Sequence, residues 1–296
     1  MSFLIIGDIH GRVKTPISRK DNIEEVLTEK FKQIKKLIDK KNILAVVTTG
    51  DLLDKARVSN ETLIFMRDLI HSLEIPFFTI VGNHDMIGNS IENHSVSSLA
   101  LLEEITENLK VLDDVETFFT PDGEQVNFFA NHYGCESYSI ETLSGYNIII
   151  AHDMITETEQ MFDSTCYSDI QTNADLIICG HNHNKLEKAM IYNPGALLRL
   201  SAAKEDRERE VEVGILSFAF ESISIEPVFL EIGSVDDVFS ISEIEDKQEM
   251  LSETMSKILD QKLGEISSIR DILNSVLGSI EYVEEDLEEL KKYIEI

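Results

Sequence analysis

Five short apolar runs recur in the first two thirds of the chain, and each ends abruptly in glycine, aspartate, asparagine or histidine. Their β-branched and aromatic residues favour β-strands, and the polar ends predict functional loops directly after the strands. The runs and the polar residues after them are 3–6 with 7–10, 44–47 with 50–51, 77–81 with 82–85, 148–151 with 152–153, and 176–179 with 180–183. This pattern restricts the chain to folds in which several strand ends can present side chains together.

Two helical patterns lie between the first three runs, one at 23–38 with its apolar residues on one face and one around 63–73. Strands that alternate with helices predict an α/β layered domain. Alternating stretches at 211–218 and 223–230 are typical of antiparallel strands. We expect these later strands to form a second sheet that packs on the first.

The last part of the chain has a different character. Strand signals stop after Gly233, and residues 231–296 contain 18 Asp and Glu against 6 Lys and Arg. An apolar seam with alternating steps of four and three runs through Ile269, Leu273, Val276, Ile280, Val283, Leu287, Leu290 and Ile294. This spacing predicts a coiled coil or a helical hairpin that either binds a partner or packs on its own domain. The predicted domains are therefore 1–232 and an acidic helical tail, 233–296.

The charge balance excludes some classes of function. With 55 acidic and 26 basic residues, the chain has a net charge of -29, which argues against a broad basic surface for nucleic acid or anionic lipid. Arg199, Arg207 and Arg209 alternate with acidic residues and predict a solvated charged loop, with phosphate contact as the alternative.

We expect a cytoplasmic protein that does not bind membranes, since no apolar run approaches a membrane span and no signal-like lead is present.

Histidine and acidic side chains concentrate at the predicted strand ends. They are His10, His84, His152, His181, His183, Asp8, Asp51, Asp54, Asp85 and Asn83. Because the ends of neighbouring strands converge at one edge of a sheet, we expect these side chains to meet. Mixed imidazole and carboxylate ligands suit manganese, iron or zinc better than magnesium or calcium.

The polar residues form five motifs in a fixed order: Asp-x-His, Gly-Asp-x-x-Asp, Gly-Asn-His-Asp, a lone His and Gly-His-x-His. In this order, each after a strand, they resemble the calcineurin-like metallophosphoesterase superfamily over roughly residues 1–230. The resemblance implies a four-layer α/β/β/α sandwich with a two-metal centre that hydrolyses phosphoesters.

The resemblance also implies a role for each residue. One divalent ion would be held by Asp8, His10, Asp51 and His183. The second would be held by Asp51, Asn83, His152 and His181, so that Asp51 bridges the two. His84 would protonate the leaving oxygen or stabilise the transition state, and Asp54 or Asp85 would orient His84. The ions, with manganese expected and iron or zinc as alternatives, would supply the positive charge that the sequence lacks.

Two further segments resemble one branch of the superfamily. Residues 97–102 and 192–199 are similar to the SbcD-type recombination and repair nucleases, phage members included. This resemblance implies a DNA exonuclease or endonuclease that works with an SbcC-like coiled-coil ATPase. Two alternatives stay open: a phosphatase or phosphodiesterase for a small or nucleotide phosphoester, and a non-catalytic assembly protein that acts through its tail. Whether the chain forms a homodimer also stays open.

Overall fold

The computed structural model describes residues 1–120, 123–135, 137–158, 164–201, 203–219 and 222–240. One compact unit spans Met1–Phe239. The predicted helical seam at 269–294 lies outside the described residues, and the domain boundary after residue 232 stays a prediction. No helix within the described ranges is long and apolar enough to cross a bilayer.

The described residues contain strands and helices in the alternating order that the sequence predicts. The strands are β1 (Ser2–Ile6), β2 (Ala45–Thr48), β3 (Phe77–Thr79), β4 (Leu109–Val111), β5 (Val115–Phe119), β6 (Gln125–Asn131), β7 (Tyr146–Asp153), β8 (Ile155–Thr156), β9 (Thr165–Cys166), β10 (Leu176–His181), β11 (Leu186–Lys188), β12 (Ile191–Asn193), β13 (Glu212–Ala219) and β14 (Ser222–Phe229). The helices are α1 (Ile23–Lys41), α2 (Asn60–His71), α3 (Ser98–Ile105), α4 (Lys204–Glu208) and α5 (Val235–Val238).

Six strands form the first sheet, in the order β14-β13-β1-β2-β3-β4. Strands β1 to β4 are parallel neighbours, and β13 pairs antiparallel with β1, with Ser2 opposite Ser217. The expectation that β13 and β14 form the second sheet is therefore wrong, because they extend the first. Their alternating pattern indicates antiparallel pairing, but it does not specify the sheet edge to which they add.

The second sheet also has six strands, in the order β11-β12-β10-β7-β6-β5. Its four central strands are parallel, with antiparallel strands at both edges. Apolar side chains from both sheets form one core between them. Phe3 lies at the centre of that core, and its ring makes edge contacts with Phe118, Phe128 and Phe218 at centroid distances of 5.0, 4.9 and 6.1 Å.

Helices cover the other face of the first sheet. The predicted apolar face of α1 is buried there, and the Asn22 side chain caps its first turn by accepting the backbone N–H of Glu24 at 2.9 Å. Among the described residues, loop side chains such as Tyr138 and Ala174 pack on the outer face of the second sheet. The predicted mixed α/β fold, with two sheets flanked by helices, is confirmed.

Candidate metal centre

The predicted site residues come together at strand ends of both sheets, not at one edge of a single sheet. Asp8, Asp51 and Asn83 follow β1, β2 and β3, whereas His152 and His181 lie at the ends of β7 and β10. The loops after β1 and β2 are joined by a backbone hydrogen bond, in which the N–H of His10 donates to the carbonyl of Asp51 at 2.9 Å. The sandwich therefore assembles the site from two sheets that face each other.

Asp51 lies at the centre of this arrangement. Its Oδ1 accepts the backbone N–H of His84 at 2.8 Å. Its Oδ2 is buried without a hydrogen-bond partner and lies 3.3 Å from His152 Nε2 and 3.7 Å from His10 Nε2. Burial alone would raise the pKa of Asp51, but the adjacent His152 and His10 lower it well below its usual range. A buried carboxylate oxygen between two ring nitrogens is a favourable position for a cation.

The ring of His152 is oriented by a hydrogen bond at Nδ1, the ring nitrogen that does not face Asp51. Its Nδ1 lies 2.7 Å from the carbonyl oxygen of Thr49, and a carbonyl only accepts, so Nδ1 carries the hydrogen. Nε2 therefore points to Asn83 Oδ1 at 2.9 Å and to Asp51. Burial lowers the pKa of His152, but the Asp51 carboxylate more than offsets this and raises the pKa to about 10. A divalent ion between these atoms would replace the proton on Nε2.

Asp8 and two histidines form the other half of the site. Thr49 Oγ1 donates to Asp8 Oδ1 at 3.1 Å, and the backbone N–H of His181 donates to Asp8 Oδ2 at 3.0 Å. Burial raises the pKa of Asp8, and nearby His152 offsets part of that rise. The Nε2 atoms of His10 and His183 approach to 3.1 Å, and His183 Nε2 lies 3.6 Å from Asp8 Oδ2. Candidate ligand atoms from the first sheet, on Asp8 and His10, therefore meet one from the second sheet, on His183.

These distances fit two metal ions. In each of three groups the ligand atoms lie within 4.8 Å of one another: Asp8 with His10 and His183, His10 with Asp51 and His84, and Asp51 with His152 and His181. The first and third groups correspond to the two predicted ligand sets, and Asp51 lies between them. The Asn83 amide oxygen lies 2.9 Å from His152 Nε2 and so is close enough to join the third group, as predicted.

His84 is half-buried beside this cluster, with its ring centroid 4.6 Å from that of His10. Its Nδ1 lies 2.7 Å from the backbone carbonyl oxygen of Asp54, so Nδ1 carries a hydrogen and Nε2 is left for another partner. The Asp54 carboxylate instead pairs with Arg12. Asp54 thus orients the His84 ring through the backbone carbonyl of Asp54 and not through its carboxylate.

The Asp85 carboxylate does not contact the ring of His84, which it was predicted to orient. Its buried carboxylate accepts the backbone N–H of Leu53 at 3.2 Å and that of Gly82 at 3.0 Å, and none of its described hydrogen bonds involves His84. Burial, reinforced by the charge of Asp51, raises the pKa of Asp85 to about 7. Asp85 therefore connects the loops that carry Asp51 and Asn83.

Two glycines in the motifs are required by close approach. A Cβ on Gly82 would lie 2.1 Å from Asp51 Oδ1, and a Cβ on Gly180 would lie 2.3 Å from Asp8 Oδ1. Both distances are far below van der Waals contact. The Gly-Asn-His-Asp and Gly-His-x-His motifs therefore begin with glycine because the carboxylate of a candidate ligand, Asp51 or Asp8, occupies the space of a side chain.

Sequence analysis missed two residues of the site. Thr49 supports Asp8 with its hydroxyl and His152 with its carbonyl, and the signal for it is a polar residue in a buried strand end directly before Gly50 and Asp51. The half-buried ring of Tyr133 lies 5.4 Å from that of His181 and 6.1 Å from that of His152. Tyr133 belongs to none of the five motifs, so no local signal indicated it.

The profile of the calcineurin-like phosphoesterases matches residues 1–185, more than half of the chain. The chain belongs to this family, whose members are dimetal-dependent phosphoester hydrolases, and the predicted superfamily is thus confirmed. Comparison with curated proteins found no match.

Several solved structures are similar to the chain at low identity. TT1561 of Thermus thermophilus is 12% identical, with a TM-score of 0.44 over 79% of this chain and 98% of that one. The NAD nucleotidase NadN of Haemophilus influenzae is 13% identical, with a TM-score of 0.44 over 80% and 54%. A 5'-nucleotidase precursor from Thermus thermophilus is 10% identical, with a TM-score of 0.45 over 86% and 59%. The chain thus spans little more than half of each nucleotidase.

Proposed function

We propose that the chain is a dimetal phosphodiesterase that cleaves DNA in recombination or repair. The phosphodiesterase assignment is supported above all by Asp51 Oδ2, a buried carboxylate oxygen without a hydrogen-bond partner between His10 and His152. DNA as the substrate is supported by the resemblance of residues 97–102 and 192–199 to the SbcD-type nucleases.

Both of these segments contact loops of the metal centre. Ser98 Oγ accepts the backbone N–H of Val58 at 2.9 Å, and the Ser98 N–H donates to the carbonyl of Ala56 at 2.8 Å, which braces the loop after Asp54. In the second segment, the N–H of Leu197 donates to the carbonyl of Asp8 at 2.8 Å. The resemblance therefore lies in parts of the chain that support the site.

The ligand sets predicted above would hold the ions, and bound ions would neutralise phosphate oxygens and acidify water for attack on phosphorus. The half-buried His84 is placed to act on the leaving oxygen through Nε2. The Asp54 carbonyl fixes the hydrogen on Nδ1, so the protonated ring has its second proton on Nε2. Transfer of that proton to the departing oxygen neutralises the charge that develops there.

An acidic nuclease needs cations from elsewhere to bind DNA. The metal ions supply them at the scissile phosphate, and an SbcC-like coiled-coil ATPase would supply them along the duplex. Mixed imidazole and carboxylate ligands favour manganese, with iron or zinc as alternatives, over magnesium.

The test is incubation of the full chain and Mn²⁺ with linear duplex DNA, single-stranded DNA, a cyclic nucleotide and a chromogenic phosphodiester. We expect degradation of DNA, faster with the cognate ATPase and slow when Mg²⁺ replaces Mn²⁺. Loss of nuclease activity in His84→Ala but not in His71→Ala, an exposed histidine at the end of α2, excludes a contaminating nuclease.

Two other results would contradict the proposal. If no DNA is cut with any metal while a small phosphoester turns over rapidly, the chain is a small-molecule phosphoesterase. If both ions bind and no phosphoester is hydrolysed, the chain is a non-catalytic member of its family.

A further inference from the structure

A cavity of about 240 Å³ lies between α1, the segment after His183 and the segment that follows β14. Apolar side chains line much of it, among them Val26, Leu198 and Val211. None of the predicted metal ligands lines this cavity. It is separate from the metal centre, although Leu197 in its wall donates a backbone hydrogen bond to the Asp8 carbonyl.

Three basic side chains line the cavity, and all are more than nine-tenths buried: Arg19 is 8% exposed, Lys30 is 3% exposed and Arg199 is 9% exposed. The prediction that Arg199 belongs to a solvated loop is therefore wrong. Arg19 pairs with Asp21 through two hydrogen bonds, of 2.8 and 2.7 Å. Its charge is thus compensated within the protein.

Within the part of the chain that the structure describes, Lys30 and Arg199 form no such ion pair. Lys30 Nζ donates to the carbonyl of Glu231 at 2.5 Å, and Arg199 donates to the carbonyls of Arg209 at 3.0 Å and Gly233 at 3.3 Å. Among the described residues, neither side chain has a carboxylate oxygen within ion-pair distance, although the charges of Glu231 and Asp206 act on Lys30 and Arg199 respectively. Burial and the positive charges of Arg199 and Arg209 lower the pKa of Lys30 to about 8, so it is still mainly protonated at neutral pH.

Buried charges in proteins are normally paired, because removal from water is costly without a counter-charge. Two adjoining buried cations that make no direct ion pair with a described carboxylate are unexpected in a chain with a net charge of -29. We propose that the cavity binds a small organic carboxylate, with its anionic group between Lys30 and Arg199 and its apolar body against Val26, Leu198 and Val211.

The acidic side chains of the cavity favour a ligand with a single negative charge. Glu29, Glu231 and Asp237 belong to the lining and are exposed, so they repel a dianion such as a phosphate monoester more than a carboxylate. The apolar walls further favour a ligand with a hydrocarbon body over an inorganic anion. This cavity therefore differs in specificity from the metal centre, and the proposal does not depend on which phosphoester that centre cleaves.

The test uses the metal-loaded full chain and titration calorimetry with benzoate, its neutral isostere benzamide, and inorganic phosphate. We expect benzoate to bind with a Kd on the order of 1 mM and benzamide at least about tenfold more weakly, whereas phosphate should bind only at the metal centre and its binding should be lost with Asp51→Asn. Equal binding of benzoate and benzamide, or no benzoate binding at all, would overturn the proposal. This comparison needs no variant, so it remains decisive even if substitutions unfold the chain.

Substitutions then locate the bound benzoate. Lys30→Gln and Arg199→Gln each remove a charge but keep a side-chain N–H donor, and each should weaken benzoate binding about tenfold or more. Lys36→Gln, an exposed position on α1, should leave it unchanged. Asp51→Asn, which disrupts the metal centre, should also leave it unchanged. Benzoate binding that is lost with Asp51→Asn but kept with Lys30→Gln and Arg199→Gln would assign it to the metal ions and refute the proposed site.

Discussion

The metal centre has a buried floor and a half-buried rim, and the two are held differently. The floor consists of Asp8, His10, Asp51 and His152, each 1% exposed. The rim consists of Asn83, His84, His181 and His183, all of intermediate exposure. Backbone and threonine groups hold Asp8, Asp51 and His152 of the floor in place, whereas the rim residues are partly exposed to solvent. In the proposed function the floor would supply the buried ligands and the rim would face the phosphoester.

Asp8 and His152 in the floor are held by hydrogen bonds within the protein, whereas His10 Nδ1 and Asp51 Oδ2 are buried without a hydrogen-bond partner among the described residues. Asp8 accepts hydrogen bonds from Thr49 and from the backbone of His181, and His152 contacts the Thr49 carbonyl. On the rim, the His84 ring makes its one hydrogen bond to a described residue through Nδ1. A preorganised floor lets ligands converge without reorganisation when charge develops in the transition state.

The largest effect is expected for Asp51→Asn. Because Asp51 Oδ2 lies between the two ligand groups, its loss should remove both ions and lower phosphodiesterase activity roughly 1,000-fold or more. Metal analysis by mass spectrometry and hydrolysis of a chromogenic phosphodiester measure the two effects. Asp68→Asn, an exposed aspartate on α2, is the control and should keep both ions. A variant at Asp51 that retains two ions would show that the floor is not organised around this residue.

On the rim, we expect His84→Ala to separate metal binding from chemistry. Both ions should stay bound while activity falls about 100-fold or more, the scale of a lost general acid. His71→Ala is the matched control and should behave like the unchanged protein. If the His84 variant loses an ion, the residue is a ligand, as its distance to His10 and Asp51 also permits, and the division into floor and rim must be redrawn.

A smaller effect should follow from Thr49→Val, which removes the hydroxyl that donates to Asp8 but keeps the carbonyl that contacts His152. Residues that support metal ligands typically contribute about 10- to 100-fold in metal affinity, and we expect about 10-fold here. Thr48→Val is a sharp control, since Thr48 is equally buried but bonds to Thr79 and not to Asp8. Equal metal affinity in the two variants would show that the floor does not depend on this hydroxyl.

The sequence predicts best what is encoded locally. The five strand ends and the apolar face of α1 need only neighbouring residues to be recognised, and the structure shows all of them. The side chains of Asp8, Asp51 and His152 are brought together because each lies at such a strand end. Local periodicity and polar strand ends are therefore sufficient to identify the fold class and to gather the candidate ligands.

Features that depend on distant partners were not predictable in this way. The sheet to which β13 belongs is decided by its pairing with β1, at the other end of the described chain. Arg199 is buried because it donates to the carbonyls of Arg209 and Gly233, which the alternating charges of its own segment do not show. Asp54 orients His84 through a backbone carbonyl, a contact that no side-chain pattern encodes.

The smallest effect on the metal centre is expected when the chain is shortened to residues 1–240. Floor and rim both lie within this part, so metal content should be unchanged and activity on a small phosphodiester should change less than about twofold, under ~0.5 kcal/mol in activation free energy.

Shortening to 1–232, the predicted boundary, should instead be destabilising. It removes Phe239, which is fully buried beneath the Arg19 guanidinium at 5.5 Å, and the hydrogen bond from Lys20 N–H to the Val238 carbonyl at 2.8 Å. Loss of one buried phenylalanine side chain costs about 3–5 kcal/mol in the free energy of unfolding. Urea unfolding of the two shortened chains measures this difference, and equal stability would show that residues 233–240 do not belong to the catalytic domain.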